Sequence, residues 1–311
     1  MRKELLTRII ACPRCKRPLA DDACPACDLR FPNVDGVPVL IDDERSLFRA
    51  GDFVSGRDTT YNSSVPGWKR SLKRLIPSLN LNVRSRSNFA ELRSRLESAG
   101  RRFSVLVIGG ADEGDGIEAL LGSPMIDLIE TDVAVTPRTD TVCDAHDLAF
   151  VDGSFDAVII QAVLEHVLDP FRCVEEIHRV LKPGGIVYAE TPFMAPVHAG
   201  RFDFLRFSHL AHRRLFRRFS EFGSGATCGP GMALGWSYCY FLQSFASGET
   251  ARQIAFAFAG FTGFWLKYFD YFLIDRPGTF DAGLSYYFLG EKSDATLDDR
   301  ELIAAYRGLY R

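Results

Sequence analysis

Four cysteines near the start of the chain have the spacing of a metal site. They form two pairs, Cys12-x2-Cys15 and Cys24-x2-Cys27, with eight residues between the pairs. Each pair makes a tight knuckle that directs two thiolates at one point, and two knuckles supply the four sulfur ligands that structural Zn²⁺ prefers. Two disulfides or a redox couple are the alternatives. We expect zinc, because the double knuckle and a reducing compartment favour it over disulfides. The ion would be structural, because four thiolates leave no open coordination position for catalysis.

A glycine-rich turn is the second group of residues with chemical potential. The apolar run 105–108 leads directly into Gly109, Gly110 and Ala111. Glycine tolerates positive φ and lets a ligand approach the backbone closely. Three acids follow in the same turn, namely Asp112, Glu113 and Asp115. Carboxylates repel a pyrophosphate but suit a ligand that carries cationic sulfonium and ammonium groups.

An acid follows the next apolar run, 126–129, at Asp132. In nucleoside-binding α/β folds an acid at the tip of the second strand binds the ribose hydroxyls. A glycine turn with such an acid also fits a dinucleotide-dependent dehydrogenase, so the two features alone leave both ligands open.

Three short motifs further along the chain narrow the choice. They are Phe-Asp-Ala-Val at 155–158, Leu-Glu-His-Val at 164–167 and Arg-Val-Leu-Lys-Pro-Gly-Gly at 179–185. With the glycine turn, they closely resemble the class I S-adenosylmethionine (SAM) dependent methyltransferases of the type 11-like group, tightly over 103–192 and loosely beyond. The resemblance implies an α/β fold with a doubly wound, mostly parallel, seven-stranded Rossmann-like sheet. It also implies a methyltransferase that uses SAM as its cofactor.

The same resemblance assigns the cofactor-binding residues. They are Gly109, Gly110 and Ala111 under the methionine part of SAM, Asp132 at the ribose, Asp144 and Ala145 at the adenine, and Gln161 beside the transferable methyl. Two positions depart from the family pattern, since Val107 replaces its usual acid and Ala111 its usual glycine.

Methyl transfer from a sulfonium is a direct displacement, so it needs alignment first and a base only if the acceptor must lose a proton. His198 with Asp203 could serve as such a base and its orienting partner, and His166 follows the predicted fourth strand. The alternatives are local packing for His166 and an ion pair between Asp203 and Arg206 in a folded lid.

The elements that would position these residues follow from hydrophobic patterning. We predict strands at 105–108, 126–129, 155–160, 186–190, 218–227 and 284–290, a hairpin within 31–40, and helices at 87–98, 117–121, 162–181, within 232–274 and after 293. We therefore divide the chain into a zinc ribbon (1–44), a basic linker (45–85) and a methyltransferase domain (86–311) with an aromatic-rich helical insertion at about 230–275.

The connector between ribbon and sheet is rich in basic residues. Between Pro66 and Arg102 only Glu91 and Glu97 oppose them. The basic residues are Lys69, Arg70, Lys73, Arg74, Arg84, Arg86, Arg93, Arg95, Arg101 and Arg102. Such a patch could face phosphate or a membrane surface, or it could be an ordinary solvated helix face.

Composition excludes several classes of protein. The 311 residues are 47% hydrophobic and 25% charged with a net charge of −3, as in an ordinary globular protein. No secretory signal is evident, and the best candidate span, 255–274, contains Lys267 and Asp270, so we expect no transmembrane segment. Clustered cysteines fit a reducing compartment, and we expect a cytoplasmic protein.

Three hypotheses remain for the function, and two of them concern the methyl acceptor. A small molecule, sugar or lipid-linked intermediate fits the aromatic C-terminal part and the acidic net charge. Ribosomal or transfer RNA fits the basic connector and the ribbon, since residues 5–42 resemble zinc ribbons attached to, or partnering, some RNA methyltransferases. A non-catalytic SAM-binding scaffold is the third. We expect the aromatic helices to be buried, with a homodimer face or a peripheral membrane contact as alternatives.

Overall fold

The computed structural model describes residues 2–57, 59, 75–98 and 100–310 of the chain. Four basic residues of the predicted connector patch lie outside the described residues: Lys69, Arg70, Lys73 and Arg74.

The strands of the described residues run from the N-terminal ribbon to the far end of the chain. They are β1 (Ala23–Cys24), β2 (Leu29–Arg30), β3 (Asn33–Val34), β4 (Val37–Leu40), β5 (Phe103–Ile108), β6 (Ile126–Asp132), β7 (Thr141–Cys143), β8 (Phe155–Gln161), β9 (Leu181–Pro192), β10 (Phe219–Cys228) and β11 (Ser285–Lys292). Strands β1 and β2 pair with each other, and the described part of the chain arranges the other nine in one sheet.

The order in that sheet is β10-β11-β9-β8-β5-β6-β7-β4-β3. Strands β6, β5, β8 and β9 are joined by parallel pairing, and β7 continues this parallel region. Strand β11 pairs antiparallel with both β9 and β10. The seven strands from β5 to β11 therefore form the doubly wound, mostly parallel sheet that the sequence predicts.

The N-terminal hairpin extends this sheet. Strand β4 pairs in parallel with β7, with Val39 opposite Val142. The turn of the hairpin has Asp35 at φ 51° and Gly36 at φ 87°, which are the two positive φ angles that a tight two-residue turn requires. The ribbon is thus joined to the main sheet by backbone hydrogen bonds.

Side-chain alternation in the central strands explains why their sequences are continuously apolar. All residues of Phe103–Ile108 are buried. Leu106 and Ile108 pack into one core, whereas Val105 and Val107 pack into the core on the opposite face. A parallel strand covered on both faces needs apolar residues at every position.

Helices cover both faces and one end of the sheet. They are α1 (Arg2–Ile9), α2 (Ala50–Val54), α3 (Ser85–Glu97), α4 (Pro170–Val180), α5 (His209–Leu215), α6 (Pro230–Gln243), α7 (Glu249–Gly263), α8 (Asp270–Leu273), α9 (Pro277–Ala282) and α10 (Asp299–Ala304). Short 3₁₀ turns occur at Ile117–Ala119, Ala145–Asp147, Gly200–Phe202 and Phe264–Phe269. Among the described residues, we find no helix with the length and apolar character to cross a membrane.

The helix predicted for 162–181 is wrong over its first part. Helix α4 begins only at Pro170, and residues 162–169 form a loop. Asp169 caps the helix by accepting a hydrogen bond from the Arg172 amide at 3.1 Å, and Pro170 occupies the first turn, where proline is favoured. The Leu-Glu-His-Val motif consequently lies in a loop at the end of β8.

The described arginines of the connector form ion pairs with acidic residues. Within the described part of the connector, six arginines have acidic partners, several of them from distant parts of the chain. The pairs are Arg84 with Asp275, Arg86 with Glu118, Arg93 with Glu97, Arg95 with Glu91, Arg101 with Asp156 and Arg102 with Asp127.

The aromatic C-terminal segment is only partly buried. Trp236 and Tyr240 of α6 face a cavity, whereas Phe245 is 76% and Phe272 is 77% exposed. Further exposed aromatic residues are Phe241, Phe258, Phe261, Trp265, Tyr268, Phe269 and Tyr271. The expectation that this segment is buried is wrong for these residues, because α6, α7 and the turn at 264–269 pack largely against one another and leave their outer faces exposed.

Candidate active site

One cavity lies at the carboxyl ends of the central parallel strands, where open α/β sheets bind their ligands. Its volume is about 850 Å³. It brings together most of the residues predicted from the sequence, namely Gly109, Ala111, Asp132, Asp144, Ala145, Gln161, His166 and His198. Residues far apart in the chain therefore form one site.

The glycine turn follows β5 at the floor of this cavity. Gly109 has φ +80°, and a Cβ atom there would lie 2.3 Å from Val163 Cγ2, so a side chain is excluded. Gly110 packs away from the cavity, because a Cβ there would meet Glu130 Cβ at 2.9 Å. Arg138 fixes the turn from behind by donating from Nε to the Gly110 carbonyl at 3.2 Å.

Asp132 lies at the tip of β6, opposite the glycine turn. Its Oδ2 accepts a hydrogen bond from the Ala111 amide at 3.0 Å. Burial raises the pKa of Asp132, while backbone amides, including that of Ala111, oppose this effect. The carboxyl group of Asp132 thus lies at the cavity wall, and its predicted contact with ribose hydroxyls stays a prediction.

Asp144 and Ala145, which the sequence predicts at the adenine, line the cavity after β7. Asp144 Oδ1 lies 2.6 Å from His146 Nδ1, and Oδ2 accepts from the Ser46 hydroxyl at 2.5 Å. Burial alone would raise the pKa of Asp144, but these hydrogen bonds bring it below its ordinary value. Leu47 and Phe48 line the cavity beside them, so the segment after the ribbon forms part of its wall.

Gln161, the last residue of β8, contacts the glycine turn. Its Nε2 donates to the Asp115 carbonyl at 3.2 Å. Its Oε1 would lie only 1.9 Å from a Cβ at Gly114. Gln161 therefore tethers the turn, and its predicted position beside the transferable methyl stays a prediction.

A polar cluster occupies the other end of the cavity. Glu165 Oε1 lies 3.7 Å from His166 Nε2 and 3.7 Å from His198 Nε2. The side chain of Glu165 is fully buried, and none of the described residues forms a hydrogen bond to either carboxylate oxygen. Burial raises the pKa of Glu165 to about 8.

The outer nitrogens of both histidines face acceptors. His166 Nδ1 lies 2.7 Å from the Phe202 carbonyl, and His198 Nδ1 lies 3.3 Å from the Pro196 carbonyl. His198 Nδ1 is also 3.4 Å from Asp203 Oδ2. Nδ1 of each ring can donate to its acceptor, and Nε2 of each ring faces Glu165.

Asp203 forms the ion pair with Arg206 that the sequence offered as an alternative. Arg206 Nη2 donates to Asp203 Oδ2 at 2.8 Å. Burial would raise the pKa of Asp203, but Arg206 and the His198 amide hold it well below its ordinary range. Asp203 is thus an orienting group for the loop that carries His198, and its catalytic role stays a prediction.

Two site residues were not singled out from the sequence. Glu165 lies within the Leu-Glu-His-Val motif, in which only His166 is a predicted site residue. Ser46 has no local motif, and only the fold places it against Asp144.

The four cysteines predicted to bind zinc lie together. Their sulfur atoms are all within 4.8 Å of one another, and Cys15 Sγ lies 3.5 Å from Cys24 Sγ. A tetrahedral zinc site with Zn–S bonds of about 2.3 Å separates its sulfurs by about 3.8 Å, so the donor set fits the ion. The ligand assignment of Cys12, Cys15, Cys24 and Cys27 remains our proposal.

The first knuckle also contacts the rest of the chain. Arg14 donates from Nε and Nη2 to the two carboxylate oxygens of Asp42, both at 2.7 Å. Lys16 donates to Glu176 on α4 at 2.8 Å. The Arg14 guanidinium lowers the pKa of Asp42, as expected for a bidentate pair.

Comparison with known proteins identifies the central segment. Residues 123–189 match the family model described as a methyltransferase domain. This match confirms the resemblance to methyltransferases that the motifs indicate.

Curated relatives match over short segments. A demethylmenaquinone methyltransferase from Clavibacter sepedonicus is 50% identical over 60 residues, which is 18% of this chain and 24% of the relative. A ubiquinone/menaquinone biosynthesis C-methyltransferase from Hydrogenovibrio crunogenus is 38% identical over 72 residues, 22% of this chain and 28% of the relative. The chain thus spans about a quarter of the length of these two relatives.

Solved structures resemble the chain more broadly but distantly. Phosphoethanolamine N-methyltransferase 2 of Haemonchus contortus, solved with S-adenosyl-L-methionine, has a TM-score of 0.43 and 15% identity, covering 67% of this chain and 53% of its own. The complex of the Haloferax volcanii Trm112 activator with a methyltransferase has a TM-score of 0.37 and 18% identity, covering 69% and 100%.

Proposed function

We propose that this chain, which carries a methyltransferase domain, transfers a methyl group from S-adenosylmethionine to a small-molecule acceptor. The observation that carries the proposal is the single cavity that joins the predicted cofactor residues to a separate polar cluster. Such a cavity can hold a cofactor and an acceptor in contact, which is the main requirement of a displacement reaction.

The cofactor would occupy the end formed by β5, β6 and β7. Asp132 would bind the ribose hydroxyls, Asp144 the adenine amino group and Ala145 the ring. The methionine part would lie against Gly109 and Ala111, which line the cavity after β5. When bound, SAM supplies a methyl group on a positively charged sulfur. The acids Asp112 and Glu113 line the same cavity and favour a cationic ligand.

The acceptor would occupy the end near the histidines. Phe202, Trp236 and Tyr240 line this part and offer flat apolar surfaces to a ring or an isoprenoid chain. Tyr240 donates a hydrogen bond to the Val197 carbonyl at 2.8 Å and so fastens α6 to the loop that carries His198. The matched segments of the two curated relatives belong to proteins named for quinone biosynthesis, which favours an aromatic, lipid-linked acceptor.

RNA remains the second candidate. The zinc ribbon motif favours it, but the described connector arginines are engaged in ion pairs within the chain. A SAM-binding scaffold is the third candidate, and it would need the polar cluster to have no role in methyl transfer.

The test is transfer of labelled methyl from SAM, by the purified full chain, into a host extract that is then divided into RNA, protein, lipid and small-molecule fractions. We expect the label in the lipid or small-molecule fraction, and none with Asp132→Asn. Label in RNA would replace the proposal with the second candidate. SAM binding by calorimetry with no label in any fraction would favour the scaffold.

A further inference from the structure

We propose that Glu165, His166 and His198 form a divalent metal site at the acceptor end of the cavity. The ligands would be one carboxylate and two imidazole nitrogens. This site is separate from the four-cysteine cluster, and no sequence motif predicts it.

The three donor atoms converge. Both Nε2 atoms lie 3.7 Å from Glu165 Oε1, and one donor atom from each of the three residues falls within 4.8 Å of the others. Bonds of about 2.0–2.2 Å from a common ion place neighbouring ligand atoms roughly 3–3.6 Å apart. The cluster therefore needs only small side-chain movements to bind an ion.

The outer hydrogen bonds are those of metal-binding histidines. A ligating imidazole usually donates its other N–H to a backbone carbonyl or a carboxylate, which fixes the tautomer and the ring orientation. His166 has the Phe202 carbonyl at 2.7 Å, and His198 has the Pro196 carbonyl at 3.3 Å with Asp203 beside it. The Nε2 atoms of both rings face the same Glu165 oxygen.

Glu165 supplies the independent observation. A fully buried carboxyl group without a hydrogen-bond partner among the described residues is costly, because it has lost its hydration without replacement. Its Oε1 faces the Nε2 atoms of both histidines at 3.7 Å, which is beyond hydrogen-bond distance. A bound cation would satisfy all three groups at once.

The chemistry of the donors indicates the class of ion. Two imidazoles and one carboxylate suit divalent transition ions such as Mn²⁺, Fe²⁺ or Zn²⁺ and leave coordination positions open. The site borders the cavity, so an acceptor oxygen could occupy an open position and be stabilised as its anion. This role, which rests on the proposed function, would select acceptors with a phenolic or enolic oxygen near the methylated atom.

The experiment is calorimetric titration of the zinc-loaded full chain with Mn²⁺. Thiolates select softer ions, so Mn²⁺ should leave the four-cysteine site undisturbed. We expect one Mn²⁺ per chain, and an increase in Kd of more than about tenfold for His198→Ala and for Glu165→Gln. Glu91→Gln is the matched control, because Glu91 pairs with Arg95 on α3, does not line the cavity, and its variant should bind Mn²⁺ like the parent chain.

Circular dichroism shows whether each variant is folded. His198 has a 45% exposed side chain, so its variant keeps the test decisive if Glu165→Gln does not fold. Absence of Mn²⁺ binding by the parent chain, or unchanged binding by folded His198→Ala, would overturn the proposal. Methyl transfer is measured separately, so metal binding without transfer would contradict the proposed function and leave the metal site standing.

Discussion

The Ser46 hydroxyl donates a hydrogen bond of 2.5 Å to Asp144 Oδ2, across 98 positions of the sequence. Ser46 follows the zinc ribbon, and Asp144 forms the predicted adenine end of the cavity. On the ribbon side, Arg14 of the first cysteine knuckle holds Asp42 through two hydrogen bonds, and the Ser46 amide donates to the Asp42 carbonyl at 2.9 Å. The ribbon and the predicted cofactor site are therefore connected by a short series of polar contacts.

Ser46→Ala should weaken SAM binding. The substitution removes one hydrogen bond to a carboxylate, a contact worth about 1.5–3 kcal/mol in a buried setting, so the Kd should rise by roughly tenfold or more. Calorimetry with SAM measures the effect. Ser55→Ala is the control, because the Ser55 hydroxyl only caps the Asp52 carbonyl on the surface. Equal affinity of Ser46→Ala and the parent chain would show that this contact does not support the site.

Asp132→Ala should weaken SAM binding strongly while the fold survives, because the residue lies at the cavity wall and outside the apolar cores. We expect an increase in Kd of at least about a hundredfold, since two charge-assisted hydrogen bonds to the ribose would be lost. Asp127→Ala is matched to it, as Asp127 lies on the same strand but pairs with Arg102 at the surface. An unchanged Kd for Asp132→Ala would place the ribose elsewhere.

Cys12→Ser should release zinc and loosen the ribbon. A module of this size has little core of its own, so the metal supplies much of its folding energy. Elemental analysis should show about one zinc per parent chain and far less in the variant. Cys239→Ser, in α6 and outside the cluster, should retain the ion. Full zinc content in Cys12→Ser would exclude the four-cysteine assignment.

The stability of the fold should depend on two buried histidines. Burial lowers the pKa of His209 to about 4 and that of His212 to about 3. Below pH 6.5, the ordinary pKa of histidine, the unfolded chain binds a proton at each of these positions. The folded chain binds it only when the pH approaches the lowered pKa. Each histidine therefore contributes stability that is present above pH 6.5 and is lost as the pH falls toward its folded pKa.

His212→Leu isolates this effect. Between about pH 7.5 and about pH 5.5 one such histidine costs about 1.4 kcal/mol, so the variant should lose that much less stability than the parent chain over this range. Urea unfolding at the two pH values measures the difference. Identical losses in both proteins would mean that His212 is protonated in the folded state.

Sequence alone determined the features that depend on local pattern. Continuous apolar runs predicted the central strands, because strands covered on both faces have no polar positions. Residues 109–111 and Asp132 predicted where the cofactor binds, since a turn and a strand tip are properties of neighbouring residues. The cysteine spacing likewise predicted a cluster that the fold assembles.

Only the tertiary structure decided which distant groups meet. It places Glu165 against His198, gives Asp144 a partner in Ser46, and pairs Arg101 with Asp156. The charge pattern of the connector could not reveal the partners of its arginines at 84, 86, 101 and 102, because those acids come from distant parts of the chain. Contacts of this kind depend on how the sheet and its loops pack, and no local pattern in the chain encodes them.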